Sequence, residues 1–533
     1  IRRQTVRPSN LGSMMSRIMA RNEASTIETG SSAIMHWWVP NDQANAPMHI
    51  KLENYVPVPL YYVWGDTLRR IKPTLEWDGY NAEIPADASD SVTHVFLWPD
   101  GAWYAPLAIK PVNGNGMFTD YAAQEQDSAM VIVTHPALMN GAQQYANYRS
   151  NISWNDYNTV VADVTQLYQQ YGGGIKLHPI AIRRFMAKLL NTWSTKPRAL
   201  FLIGKATTAA HAGSDDLRGY RRDATAWNMC KVPSMGYPPS DALFTLGLSG
   251  NPHELTVPVG RLAAQTNEQV LDYLAKVEAL ENLQAQGPAA WMKNILHFRG
   301  GFNTNEIQLF QGALTSYELI AEDTCFAGHV TEFVKNPDDL ISQASADSVY
   351  DLVQQGVTLM TFFAHASGGG FDISIDQPSN YQWNGHYPFM IGNSCYTGNI
   401  HLPSSSSGSE QFVLPAGAGA IAFLASNDLG VSTPLWGMTS NFYRSFSQTN
   451  YGRSIGRHLQ YADSIALDTF QPDLTTDATV QQLTLHGDPM LIMNSPLQPD
   501  MEITPADVRL SPDPVTADVD SFRVKAVVRP SPA

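Results

Sequence analysis

Between residue 128 and about 495 the chain alternates short, unbroken apolar runs with stretches of helical periodicity. That alternation constrains it to sheets of mostly parallel strands with helices packed on both faces. The runs are Met130-Val131-Ile132-Val133-Thr134 and Ala199–Gly204 in a first half, 128–293. In a second half, 294–498, they are Asn294–Phe298, Val357–Ala364, Pro388–Cys395 and Gly419–Ala425. An uninterrupted apolar run of this length is what a strand buried on both faces requires. Helices are expected over Asn140–Arg149, Val164–Tyr171, Asn305–Leu319, Ser345–Gln354 and Leu435–Phe446. Pro179 suits a first helical turn, where its missing N–H has no partner to lose. Thr266-Asn267-Glu268-Gln269 has the form of a capping box, and Val270, Tyr273, Leu274 and Val277 follow at helical spacing.

The flanks read differently. Residues 1–127 hold short aromatic and β-branched runs such as Met35–Pro40 and His94–Trp98, punctuated by Pro99-Asp100-Gly101 and Asn113-Gly114-Asn115-Gly116. This is the pattern of a β-sandwich or similar sheet module. Residues 499–533 are rich in proline, and the alternating Phe522–Val528 is expected to begin an immunoglobulin-like β module.

Composition removes whole classes. Lys+Arg is 34 and Asp+Glu is 49, a formal charge of 34 − 49 = −15, and no basic cluster offers a phosphate-gripping face, so nucleic acid is not an expected partner. No apolar run is long enough to span a membrane. The chain opens at Ile1 without the apolar core of a signal peptide, which is read as a removed leader or a partial product. Three cysteines, Cys230, Cys325 and Cys395, exclude a disulfide scaffold and a four-thiolate metal centre; Cys230 and Cys325 are either a pair or two buried thiols. No Walker A, Gly-x-Ser-x-Gly or helical His-x-x-x-His motif is present. Gly417–Ala422 matches a dinucleotide fingerprint by letters, but it leads into a strand where the fingerprint must follow one, so it is read as close packing.

The informative pair is His365 and Cys395. Each stands just beyond the carboxyl end of an apolar run, where open α/β sheets bind ligands. Neighbouring strands would bring imidazole and thiol to one cleft. A cysteine nucleophile needs a base to generate thiolate, and glycine backbone such as Gly368-Gly369-Gly370 can approach closely enough to bind an oxyanion. The plain alternative is a small buried thiol and a satisfied polar histidine. Asp372, Asp376 and Asp428 follow strands, where each is either a solvated loop carboxylate or a ligand for a basic side chain or a structural calcium ion.

The block Thr361–Ser426 resembles the gingipain (C25) family of cysteine peptidases, of the caspase-like clan. The resemblance rests on His365, Trp383, Ser394-Cys395, Gly398, Glu410 and Gly417–Ala422 in order. Upstream and downstream it takes in Tyr148-Arg149, Ala181-Ile182-Arg183, Tyr237-Pro238-Pro239-Ser240-Asp241, Val257–Arg261 and Leu485-His486-Gly487-Asp488-Pro489, spanning roughly 128–495. It implies a caspase/gingipain-like α/β fold in two subdomains, with Cys395 as nucleophile and His365 as general acid/base, acting on polypeptide without a required cofactor. It also implies a secreted or cell-surface setting outside the bacterial outer membrane, with surface or secretion-system partners. The same group contains the type IX secretion sortase, which joins a cleaved chain to an amine. Three departures stand out. Ala366 replaces the glycine after the histidine, Lys205 stands where Asp is common, and the third acid is not fixed by a motif. Glu306 is the best candidate for that acid, its alternative being a solvated residue at a helix start. A second reading follows from these departures: an inactive gingipain-like domain serving as a structural or binding part of a surface assembly. A third, an adhesin, rests on the β modules alone.

Overall fold

A computed structural model of the 533-residue chain describes residues 25–28, 35–40, 47–53, 58–64, 68–77, 79–86, 92–100 and 111–530. Excepted within the last span are 152–156, 208–222, 323–324, 337, 339–340, 345, 368–369, 376, 404–405, 470–472 and 494–500. The chain divides into two compact units, 1–116 and 117–533. Among the described residues no helix is long and apolar enough to cross a membrane.

Among its described residues the first unit holds two four-stranded sheets. Ile50, Leu52, Ala82 and Ile84 of one sheet and Tyr61, Val63, Val95 and Leu97 of the other form a shared core. The spacing of two within each strand is why one face of each sheet is apolar and can pack on its neighbour.

The second unit is built on one ten-stranded sheet. Its strands are β1 (Met130–Thr134), β2 (Thr159–Asp163), β3 (Ala199–Ile203), β4 (Val259–Leu262) and β5 (Asn294–Arg299), then β6 (His329–Val334), β7 (Leu359–Phe363), β8 (Phe389–Asn393), β9 (Ala422–Ser426) and β10 (Leu483–His486). Their spatial order is β2-β1-β3-β4-β10-β9-β8-β7-β5-β6. Pairings within each half are parallel, and the halves meet where β10 lies antiparallel to β9. The two expected subdomains thus share a single sheet, and β10, from the end of the second half, completes the sheet of the first. β1, β3, β7, β8 and β9 are buried along their whole length, which their unbroken apolar sequences anticipate.

The principal helices are α1 (Met139–Asn151), α2 (Val164–Tyr171), α3 (Ile180–Thr192), α4 (Ala224–Met229), α5 (Asn267–Gln284) and α6 (Thr304–Glu322). They continue with α7 (Ala346–Gln355), α8 (Gly408–Val413), α9 (Ser432–Arg444), α10 (Ile455–Thr469) and α11 (Leu474–Gln481). Thr266 caps α5 by accepting the Gln269 N–H, as its sequence leads one to expect. Near the end of the chain, Val508–Ser511 pairs with Arg523–Ala526 and Met501–Glu502 with Arg529–Pro530, both antiparallel.

Candidate active site

The sheet register sets the site. β7 and β8 are parallel neighbours with Phe363 opposite Asn393. His365 and Cys395 each follow two residues later, so they leave the sheet side by side at its carboxyl edge. On the other flank of β7, Arg299 at the end of β5 is also opposite Phe363. Gly300 and Gly301 then turn the chain into α6, whose first turn carries Glu306. Gly300 permits a close approach: a Cβ there would lie 2.1 Å from Asp372 Oδ1.

The Glu306 carboxylate meets His365, with Oε2 3.1 Å from Nε2. The Phe302 N–H also donates to that oxygen at 3.0 Å, and Asn303 Oδ1 accepts the Glu306 N–H at 3.1 Å. Partial burial pushes the Glu306 pKa upward, but the Phe302 N–H and His365 outweigh it and hold the carboxyl below its usual range. A bond at Nε2 leaves Nδ1 as the ring nitrogen not engaged by the carboxylate. The Phe302 ring stacks on the imidazole, centroids 4.7 Å apart and planes 22° apart. Lys335 Nζ lies 4.1 Å from the centroid of Phe302.

Cys395 is half-buried. The Gly430 N–H points at its sulfur, N to Sγ 3.4 Å. This approach needs glycine, because a Cβ at 430 would lie 2.4 Å from the Ser394 carbonyl oxygen. Among the described residues the thiol's hydrogen-bond partner is Gly430 rather than His365. The next residue, Tyr396, has φ of +60°, an uncommon backbone conformation for a residue with a side chain. Its N–H donates to the Asp428 carbonyl at 2.9 Å.

Of the expected oxyanion glycines, Gly368 and Gly369 lie outside the described residues. Gly370 pairs with Ser367 in a short hairpin where Ala366 is opposite Phe371. The Asp372 N–H donates to the His365 carbonyl. Hydrogen-bonded and non-hydrogen-bonded pairs alternate in such a ladder, so the Ala366 N–H faces away from the hairpin. Ala366 has no left-handed backbone, so the change from glycine carries no conformational strain.

The loop carboxylates separate. Asp372 is buried, accepts the Gly301 N–H at 3.0 Å and lies 3.4 Å from Lys335 Nζ. It ties down the turn before α6 instead of facing the cleft. Asp428 is half-buried beside Tyr396 and accepts the Leu429 N–H. Asp376 lies outside the described residues. Among the described residues no three His, Cys, Asp or Glu side chains converge as a metal centre. Cys230, Cys325 and Cys395 are all free thiols, Cys230 buried and Cys325 exposed.

Comparison with known proteins places this frame. The model of peptidase family C25 matches residues 123–494. The chain belongs to that family. Among solved structures, the Arg-specific cysteine proteinase gingipain R shares 13% identity at a TM-score of 0.51, covering 71% of this chain and 81% of its own. The pro- and mature domains of RgpB from Porphyromonas gingivalis share 13% identity at a TM-score of 0.50, covering 70% and 82%. A structure described as a protease shares 13% at 0.54, covering 73% and 86%. At these identities the likeness is one of fold. No curated protein matches the chain.

Several residues that carry the C25 resemblance build the frame rather than the cleft. Arg149 is buried and bonds Glu281 and Asp488. Arg261 is buried and bonds both oxygens of Asp241. Trp383 donates to the Pro378 carbonyl. Lys205, the departure from the usual Asp, forms a buried pair with Glu410 at 2.5 Å. Burial pushes the Glu410 pKa up and Lys205 opposes it.

Proposed function

We propose that this C25 chain is a cysteine endopeptidase, secreted or at the cell surface, with Cys395, His365 and Glu306 as its acting residues. The observation that carries this reading is the common edge at which β5, β7 and β8 deliver the three residues, with Glu306 bonded to His365 at 3.1 Å. Glu306 holds the imidazole by Nε2 and stabilises the imidazolium as it forms. His365 takes the thiol proton through Nδ1, and the thiolate attacks the peptide carbonyl. The Ala366 N–H is the donor for the oxyanion, and the imidazolium then protonates the leaving amine. Water attacks the thioester to release the product; in a transpeptidase, as in type IX secretion, an amine takes its place. Polypeptide is the substrate, and no cofactor enters any step.

A second reading, an inactive C25 domain in a surface assembly, is favoured by the thiol's contact with Gly430 in place of one with His365. The labelling rate of Cys395 by iodoacetamide across pH separates the two, in a Cys325→Ser background that removes the exposed thiol. An active pair gives fast labelling near neutral pH that falls about tenfold or more in His365→Ala, as thiolate fraction governs the rate. Slow labelling indifferent to that substitution establishes the inactive domain.

A further inference from the structure

The first half of the sheet has an opening of its own. Its order β2-β1-β3-β4 means that the chain leaves β1 to one side to form β2, then crosses back past β1 to form β3. Where parallel strands reverse direction of travel in this way, their connections diverge and leave a crevice at the carboxyl ends. His135 directly follows β1. On the far side, the Lys231 N–H donates to the Lys205 carbonyl just beyond β3. Gly204 admits that approach, since a Cβ there would lie 2.8 Å from Lys231 Cβ.

The crevice is a cavity of about 400 Å³, the size of a small-molecule site. Tyr168, Leu177 and Trp227 supply apolar wall, and His135, Lys176 and Lys231 supply nitrogen donors. No carboxylate lines it among the described residues, in a chain with formal charge −15. Asp163, whose charge reaches His135, caps α2 by accepting from the Thr165 N–H at 2.8 Å and the Thr165 hydroxyl at 2.7 Å. His135 Nδ1 accepts the Ala137 N–H at 3.1 Å, which leaves the neutral ring's proton on Nε2. Burial and the charge of Lys231 push the His135 pKa down, with Asp163 opposing and Lys176 adding to the fall.

We propose that this crevice binds a small organic anion with a flat apolar body, its acid group among Lys176, Lys231 and His135 and its ring against Trp227 and Tyr168. Two lysines without a carboxylate between them favour an anion, and charge-assisted hydrogen bonds are the strong ones. The aromatic wall rewards a ring over a bare ion. Nothing in this inference depends on peptidase activity.

The test is calorimetric titration of the full chain carrying Cys395→Ala with indole-3-acetate, indole and acetate. Indole-3-acetate is expected to bind about tenfold or more tightly than either fragment, a difference of about 1.4 kcal/mol or more. Lys176→Glu with Lys231→Glu is expected to weaken it by about tenfold or more at an unchanged melting temperature, and so is the milder pair Lys176→Gln with Lys231→Gln. Trp227→Ala should weaken indole-3-acetate but leave acetate unaffected. Absence of indole-3-acetate binding overturns the proposal, as does equal affinity for indole or indifference to both lysine pairs. Because the titrated chain lacks the thiol, failure here and failure of the peptidase reading are separate results.

Discussion

At the scale of single residues, the histidine is held more tightly than a loop residue ordinarily is. Phe302 stacks on it, the Phe302 N–H fixes Glu306, and Lys335 with Asp372 pins the turn that carries both. Glu306 should therefore act by orienting His365 and by offering a charge for the imidazolium. Glu306→Gln keeps the shape and removes the charge. It is expected to lower kcat about a hundredfold, the low end of what general acid–base catalysis contributes, with KM little changed. Steady-state kinetics on a cleaved peptide checks this, and a variant that matches the parent would remove Glu306 from the mechanism. The placement of His365 and Cys395 just beyond neighbouring strands was legible in the sequence because each ends an apolar run, and a strand end is an address. Glu306 was legible only as a candidate. Phe302, Lys335 and Gly430 were not, because their contacts depend on which strands become neighbours, and no local spacing records that. The glycine after Asn427-Asp428-Leu429 was the one available signal for Gly430.

At the scale of elements, agreement followed the length of the apolar run. Val164–Tyr171 forms a helix with the bounds expected, and all six apolar runs form strands, five of them buried along their whole length. β2, β4, β6 and β10 were not read as strands, nor α10 and α11 as helices. β4 is Val259–Leu262, and its Arg261 interrupts the apolar pattern because its charge is matched by Asp241 from elsewhere in the chain. Gly417–Ala422 is resolved in physical terms. Gly417 and Gly419 both have left-handed backbone, and a Cβ at 419 would lie 2.0 Å from the Phe412 carbonyl oxygen. The turn presents the carbonyls of Ala418 and Ala420, with that of Val413, to Lys276 Nζ on α5 at 2.7–2.9 Å. Burial pushes the Lys276 pKa down to about 7, with Asp272 opposing. An unfolded lysine titrates at about 10.4, so between the two values the unfolded chain holds more protons and stability rises with pH. Lys276→Met leaves the carbonyls unpaired and is expected to cost about 2 kcal/mol. The deficit relative to the parent should widen from pH 7 toward pH 10, as read by denaturant melts at each pH. A deficit that stays constant over that range would mean that the ammonium stays charged in the fold.

At the scale of the whole second unit, the question is what keeps two five-stranded halves, running in opposite senses, as one sheet. β10 makes the backbone seam, and buried charges lock it. Arg149 on α1 reaches Glu281 at the end of α5 and Asp488 just past β10, and Tyr145 donates to the same Asp488. The Asp488 N–H donates to Tyr273, whose hydroxyl in turn donates to the Ile421 carbonyl before β9. The lock therefore runs from the helices of the first half into the strands of the second. All three charged groups are nearly or fully buried, so removing one strands the others without water. Arg149→Met is expected to cost about 3–5 kcal/mol, as breaking a buried pair from one side does. Asp468→Asn, which breaks the exposed contact with His253, is expected to cost less than about 1 kcal/mol. Denaturant unfolding of both variants decides the point. If Arg149→Met costs no more than Asp468→Asn, the seam is held by β10 and its apolar neighbours alone. The site stands to lose as well as the seam, because β8 and β9, which carry Cys395 and Gly430, are the strands nearest to it; in Arg149→Met, Cys395 labelling should lose its dependence on His365 before the chain unfolds.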